Sequence, residues 1–529
     1  MEPSCVRQTL IPGTSKLFSD YLYDADQVKG FYFKHFSDNA AFAESAERID
    51  FSNHRRASLV KALREQNGES ATLTKLAKPG TVAVVTGQQV GLFSGPAYTI
   101  FKALTAAKLA KHLSDQGIPA VPVFWLATED HDLAEVDHAW VFNHVAEPAR
   151  VSVPEPAMTG GPVGEVALGQ IPFDELRAGL GELPFADEVV ERLEKSYGAK
   201  AANTPTLGSA FGSFLRELLK DCGLVYLDPL APAVREMALP FITQSVHRVP
   251  ELIQALRERN QQLIAAGYHT QVHIDETTSL VFLIDEGKRV PLRWSEGRFR
   301  AKDKSYSAED LISLDGSLSP NALLRPVLQD YLLPTVSYVG GPSEIAYMAQ
   351  AQVLYENLLG RMPVIFPRNS FTLLDARAAK LLERYRLHVT DVFAHREQVN
   401  SRIAARLVPG GLIEEIDSAR DTISSTLGRL QSHLADFDPT LEAAANKSGN
   451  KMLYQLDKIS RKTARQRMRR DERVMRDASY LTDLIFPFRH LQERFYSIIP
   501  FLAQHGWDLP GRLIKEVHLG CPDHMIRTI

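Results

Sequence analysis

The chain has 529 residues, 44% of them apolar, and a net charge of −4. That length exceeds what one hydrophobic core supports, so two or three packing units are expected, and the slight negative charge excludes whole-protein attraction to nucleic acid or anionic lipid. Its three scattered cysteines, Cys5, Cys222 and Cys521, exclude a disulfide framework and a cysteine zinc cage. The start, MEPSCVRQTLIPG, lacks the basic head and apolar core of a signal peptide, and no apolar run reaches membrane-spanning length. The expectation is a cytoplasmic protein that acts on small ligands, with no nucleic-acid or membrane partner.

Residues 1–80 read as mostly helical cover for a sheet. Val82–Val85 reads as a buried strand, followed by a loop with Gly87, Gly91 and Gly95 and then a helix over Tyr98–Leu113. Gln88 and Gln89 lie in the same loop. It is either an anion cradle at a helix start or a tight turn whose glycines allow close packing. It matches neither the dinucleotide fingerprint nor the Walker pattern.

A second strand, Val121–Ala127, completes a βαβ unit and ends in Thr128-Glu129-Asp130-His131-Asp132. Three carboxylates and an imidazole at a strand's carboxyl end suit proton transfer by His131, amine binding, or a metal held by Asp130, His131 and Asp132. An acidic first turn of a helix over Leu133–Val141 is the structural alternative. The metal requirement stays open.

Two β-rich insertions, near 139–170 and 268–305, interrupt the core, the second a meander with a Glu286–Gly287 turn. Thr335–Val339 then leads into Gly340-Gly341-Pro342-Ser343-Glu344, and Val364–Phe366 into Pro367-Arg368-Asn369-Ser370. Ser343 or Glu344 can face a crevice at the strand ends, and Arg368 can pair with phosphate or carboxylate; ordinary capping explains either loop singly.

Beyond 380 the pattern changes. Ile416, Ile423, Leu427, Leu430, Leu434 and Phe437 form a helical seam, Asp438–Pro439 breaks it, and a second helix over Thr440–Leu481 returns. The fold class is therefore α/β. One αβ core spans 1–380, interrupted by the two β-rich insertions; an antiparallel helical hairpin over 381–485 reads as a protruding coiled coil or as a local bundle on its own core, and 486–529 returns to the core. The basic run from Arg461 to Arg476 reads as a solvated helix face or a dimer contact.

TGQQVGLFSGPAYT at 86–99, FWLATEDHD at 124–132, RPVLQDYLLPT at 325–335, GGPSEIAYMAQ at 340–350 and LQERFYS at 491–497 together resemble the cysteine ligase family of bacillithiol biosynthesis, BshC. The likeness runs through nearly the whole chain. Phe101 stands where members of that family often carry His, a departure that bears on any catalytic role of that position. The resemblance implies a Rossmann-like parallel-sheet core with two connecting insertions and a homodimer built through an antiparallel helical coiled coil. It also implies a bound nucleotide, ATP or ADP, and the final step of the pathway, amide formation between L-cysteine and glucosaminyl-malate. Because a carboxylate and an amine do not condense readily in water, ATP activation of the cysteine carboxyl is expected. In that reading Gly87, Gly91 and Gly95 support anions, Asp130, His131 and Asp132 bind the ammonium, a metal or the transferring proton, and Arg368 neutralises the malyl carboxylates. A nucleotidyltransferase acting on another acceptor and a nonenzymatic nucleotide-binding scaffold are the alternatives.

Overall fold

The computed structural model describes residues 4–38, 40–154, 160–198, 204–314, 316–469 and 471–529. Five parallel strands form its centre: β1 (Val82–Gln89), β2 (Ala120–Ala127), β3 (Val225–Leu227), β4 (Thr335–Gly340) and β5 (Val364–Pro367). Their order is β5-β4-β1-β2-β3. Chain order therefore reverses between β1 and β4, the switch point at which open α/β sheets leave a crevice beyond their carboxyl ends. This is the Rossmann-like sheet expected from the sequence.

The strands read as apolar runs because both faces are covered. Along β2, Phe124 and Leu126 feed one core while Val123 and Trp125 feed the other, as the two-residue period of a strand requires. Helix α1 (Tyr98–Asp115) connects β1 to β2, α2 (Leu324–Leu332) precedes β4, and α3 (Pro342–Leu359) follows it. Thr86 ties β1 to β4 by donating its hydroxyl to the Val339 carbonyl at 2.8 Å.

The helix weighed as the structural alternative over Leu133–Val141 does not form. A single 3-10 turn, Leu133–Glu135, gives way to strand His138–Phe142, which pairs antiparallel with Pro148–Ser152. Buried Ala139 and Val141 alternate with half-buried Trp140, the strand pattern read for the β-rich insertion near 139–170. Farther along, Thr278–Asp285, Lys288–Ser295, Arg298–Ala301 and Lys304–Tyr306 form the meander, joined on its other edge by Leu318–Pro320. Its first turn is Glu286–Gly287, with φ of 51° and 74°, the positive pair that a two-residue hairpin turn demands.

Helices α4 (Gly410–Phe437) and α5 (Pro439–Arg469) make the antiparallel hairpin. Ile416, Ile423, Leu427 and Leu434 are half-buried in its seam, whereas Leu430 and Phe437 point outward, Phe437 at 84% exposure. Residue 470 and the side chains of Arg461, Arg465, Arg467 and Arg469 lie outside the described structure. The chain then returns: His524–Thr528 pairs parallel with Ser370–Leu374 and antiparallel with Ser4–Val6. Among the described residues no helix is long and apolar enough to cross a membrane.

Candidate functional site

The crevice at the β1/β4 switch point holds a cavity of about 520 Å³. Its floor begins at Gly87, where β1 and β2 come too close for any side chain: a Cβ there would stand 2.8 Å from the Trp125 carbonyl oxygen. That carbonyl belongs to the neighbouring strand, so the glycine is a packing requirement.

Lys102, fully buried in α1, donates its ammonium protons to the Gly87 carbonyl, to Gln88 Oε1 at 3.2 Å and to Glu344 Oε1 at 2.8 Å. Glu344 also accepts from the Tyr338 hydroxyl at 2.5 Å and from the Gly341 amide at 2.8 Å. Burial alone would raise the Glu344 carboxyl; Lys102, Tyr338 and the Gly341 amide outweigh it and hold the group below its ordinary value. Burial pushes Lys102 down against the pull of Glu344.

Beside Gly341, Arg368 donates to buried Glu493 at 2.6 Å and lies over the Tyr98 ring at 5.0 Å. Asp130 sits between two guanidiniums, Arg289 on Oδ1 and Arg325 on Oδ2, each at 3.3 Å. Both carboxylate oxygens therefore have cationic partners. Glu135, exposed on the rim, accepts from Gln89 Nε2 at 3.0 Å. Arg494 is different: it lines the cavity with no carboxylate partner among the described residues.

The cavity brings together Gly87, Gln88, Gln89, Asp130, Gly341, Ser343 and Arg368 from among the residues that the sequence singles out. Gly91, Gly95, Gly340, His131 and Asp132 do not line it. Gly91 and Gly95 pack on each other, a Cβ at Gly91 standing 3.0 Å from the Gly95 Cα. The Ala97 amide at the start of α1 is taken by the Tyr496 carbonyl at 2.8 Å. These glycines thus serve the tight-turn alternative, with a protein carbonyl where an anion would have to sit. Gly340 ends β4, and a Cβ there would crowd that of Glu344 at 3.2 Å. His131 and Asp132 are exposed; the His131 ring lies 5.7 Å from Phe282, with Nδ1 at 3.3 Å from Arg289. Among the described residues no group of three or more His, Cys, Asp or Glu side chains is gathered for a metal.

Phe101 is 1% exposed and meets Phe371 edge-to-face at 4.9 Å, so this position is core in the present chain. Its neighbour Lys102, which ties the Gly87 loop to Glu344, is one of the site residues that sequence reasoning missed. The signal was one cation at the start of the apolar helix YTIFKALTAA. Arg325 and Arg494 were missed because each is supplied by an element remote in sequence from the glycine-rich loops, and Tyr338 because it reads as one more aromatic of the apolar strand before Gly340.

A switch-point cavity walled by ion pairs, on a sheet that also carries a long helical hairpin, defines a Rossmann-like α/β protein with a polar ligand site. Residues 1–369 match the family model described as "Bacillithiol biosynthesis BshC, N-terminal Rossmann-like domain", and residues 371–529 match "Bacillithiol biosynthesis BshC, C-terminal coiled-coil domain". The chain belongs to this BshC family. A relative from Solibacter usitatus is 50% identical over 529 residues, covering 100% of both chains. One from Koribacter versatilis is 34% identical over 99% of both chains, and one from Symbiobacterium thermophilum is 31% identical over 91% of this chain and 88% of its own. All three carry the name "Putative cysteine ligase BshC".

Proposed function

We propose that the protein is the ligase that joins L-cysteine to glucosaminyl-malate, completing bacillithiol, with ATP activating the cysteine carboxyl. The observation that carries this reading is the switch-point cavity, large enough for a small substrate beside a nucleotide phosphate and offering the unpaired guanidinium of Arg494. In the first step the cysteine carboxylate attacks the α-phosphorus of ATP and pyrophosphate leaves, giving cysteinyl-adenylate. The glucosaminyl amine then attacks the acyl carbon and AMP departs. Attack on the γ-phosphorus, with ADP and then phosphate leaving, is the balanced variant.

Arg494 offsets the charge that builds on the transferring phosphoryl group, where preorganised donors are most effective. The acceptor ammonium must lose a proton before it attacks. Glu135 is, among the described residues, the lining carboxylate without an arginine or lysine partner, and it takes that proton. Asp130, with both oxygens engaged, acts as a positioning residue that fixes Arg325 against the cavity. The outward apolar side chains Leu430, Phe437, Met452 and Ile459 on the hairpin pack against a second copy of the chain.

Mass spectrometry of purified protein with L-cysteine, glucosaminyl-malate and ATP tests the reading. The amide product should appear with stoichiometric pyrophosphate or ADP. Adenylyl transfer without cysteine would point instead to a nucleotidyltransferase, and bound but intact ATP to a scaffold.

A further inference from the structure

A second cavity of about 310 Å³ adjoins the first, and the two share Pro342, Ser343 and Arg494 as a common wall. Arg489, His490 and Arg494 line it, and among the described residues no carboxylate does. That is unusual in a chain whose 64 acidic residues outnumber its 60 lysines and arginines. Arg325 and Arg368 in the first cavity each contact a carboxylate, Arg325 sharing Asp130 with Arg289, whereas Arg489 and Arg494 have no ion-pair partner among the described residues. The segment that presents them is held in an uncommon conformation: Phe488 and Arg489 have φ of 46° and 70°, two successive left-handed residues without glycine. Such backbone persists where packing over-determines it and clusters at ligand sites. Here the Phe488 ring packs against Trp140 at 5.8 Å and Phe495 at 5.4 Å, which anchors the turn while the guanidinium beside it stays free.

We propose that this second cavity is a subsite for the dianionic end of a substrate, carboxylate or phosphate, whose reacting group lies in the first cavity. Two unpaired guanidiniums suit a planar carboxylate or a phosphate, which they bind through paired N–H donors. The proposal rests on the ligase reading for its choice of substrates. A malyl dicarboxylate and the phosphates of a nucleotide are its two sources.

Calorimetric titration of the full chain with L-malate and, separately, with pyrophosphate tests the subsite and identifies the source. At least one probe should bind, Arg489→Gln should weaken it tenfold or more, and Arg489→Lys should retain most of the affinity. Arg494→Gln, at the shared wall, should weaken it as well. Arg489 is exposed, so its variants should melt with the wild type. Binding of neither probe to the wild type, or equal binding by wild type and Arg489→Gln, overturns the subsite. A protein that binds a probe as described yet forms no amide keeps the subsite and loses the ligase reading.

Discussion

The Lys102 ammonium lies 2.8 Å from the Glu344 carboxylate and joins the helix that follows β1 to the helix that follows β4. One buried pair thus clamps both sides of the crevice. Lys102→Met should cost about 3–5 kcal/mol, the usual consequence of stranding one partner of a buried ion pair. The Lys102→Met/Glu344→Gln double variant should recover part of that loss. Because the Glu344 carboxyl is held below its ordinary value, its stabilising share is present above the unfolded carboxyl range and disappears as pH falls through the folded value. Urea denaturation of the three proteins measures this, and a double variant as weak as the single one would contradict the pairing.

A separate acid sensitivity comes from His524. It is fully buried, with Nδ1 2.6 Å from the Ser370 hydroxyl and Nε2 2.7 Å from that of Thr372, and burial lowers its pKa to about 4. The unfolded imidazole takes its proton near 6.5, and the folded one refuses it until about 4. Stability therefore falls as pH drops through that window, by about 3 kcal/mol for this group. His505, also held at about 4 by burial, adds a similar slope. His524→Gln should flatten roughly half of the decline between these limits. Chemical denaturation across that pH range decides it, and an unchanged slope would rule out the assignment.

Asp130 and His131 are adjacent in sequence but unlike in surroundings. Asp130→Asn removes a charge-assisted partner from Arg325 and Arg289 together, an interaction class worth about 1.5–3 kcal/mol, so amide formation should drop about tenfold or more. His131→Ala should stay within a few-fold of wild type because its ring lies outside the cavity. A larger effect from His131 than from Asp130 would reverse the assignment of roles.

Leu427 packs so closely on Gly449 that a Cβ there would meet its methyl at 2.8 Å. Leu427→Asp should therefore open the hairpin by about 2–5 kcal/mol through lost packing and a charge in an apolar seam. Hydrogen exchange should show lost protection in α4 and α5 while β1 and β4 remain protected. Uniform loss across the chain would mean that the hairpin and the sheet unfold as one unit.

The sheet was legible because each central strand is an apolar run closed by glycine, proline or acid, as in Val82–Gln89 and Thr335–Gly340. The helical hairpin was legible from its seven-residue repeat, yet the same repeat does not say which apolar positions face the partner helix. Leu430 and Phe437 fit the pattern and nevertheless face out. For the site, proximity in sequence was a poor guide. Asp130 and His131 share a motif but diverge at the strand end, whereas Lys102 and Glu344 are 242 residues apart and touch. A buried cation announces itself only when its carboxylate is known, and that partner is set by strand order.

Arg494 reaches the cavity from beyond the hairpin, Glu493 beside it holds Arg368, and the Tyr496 carbonyl closes the first turn of α1. During synthesis the sheet can assemble once β5 has emerged, but its cavity still lacks a wall until some hundred further residues, helical hairpin included, have left the ribosome. A chain stalled within the hairpin would hold a folded sheet whose Arg368 has no Glu493.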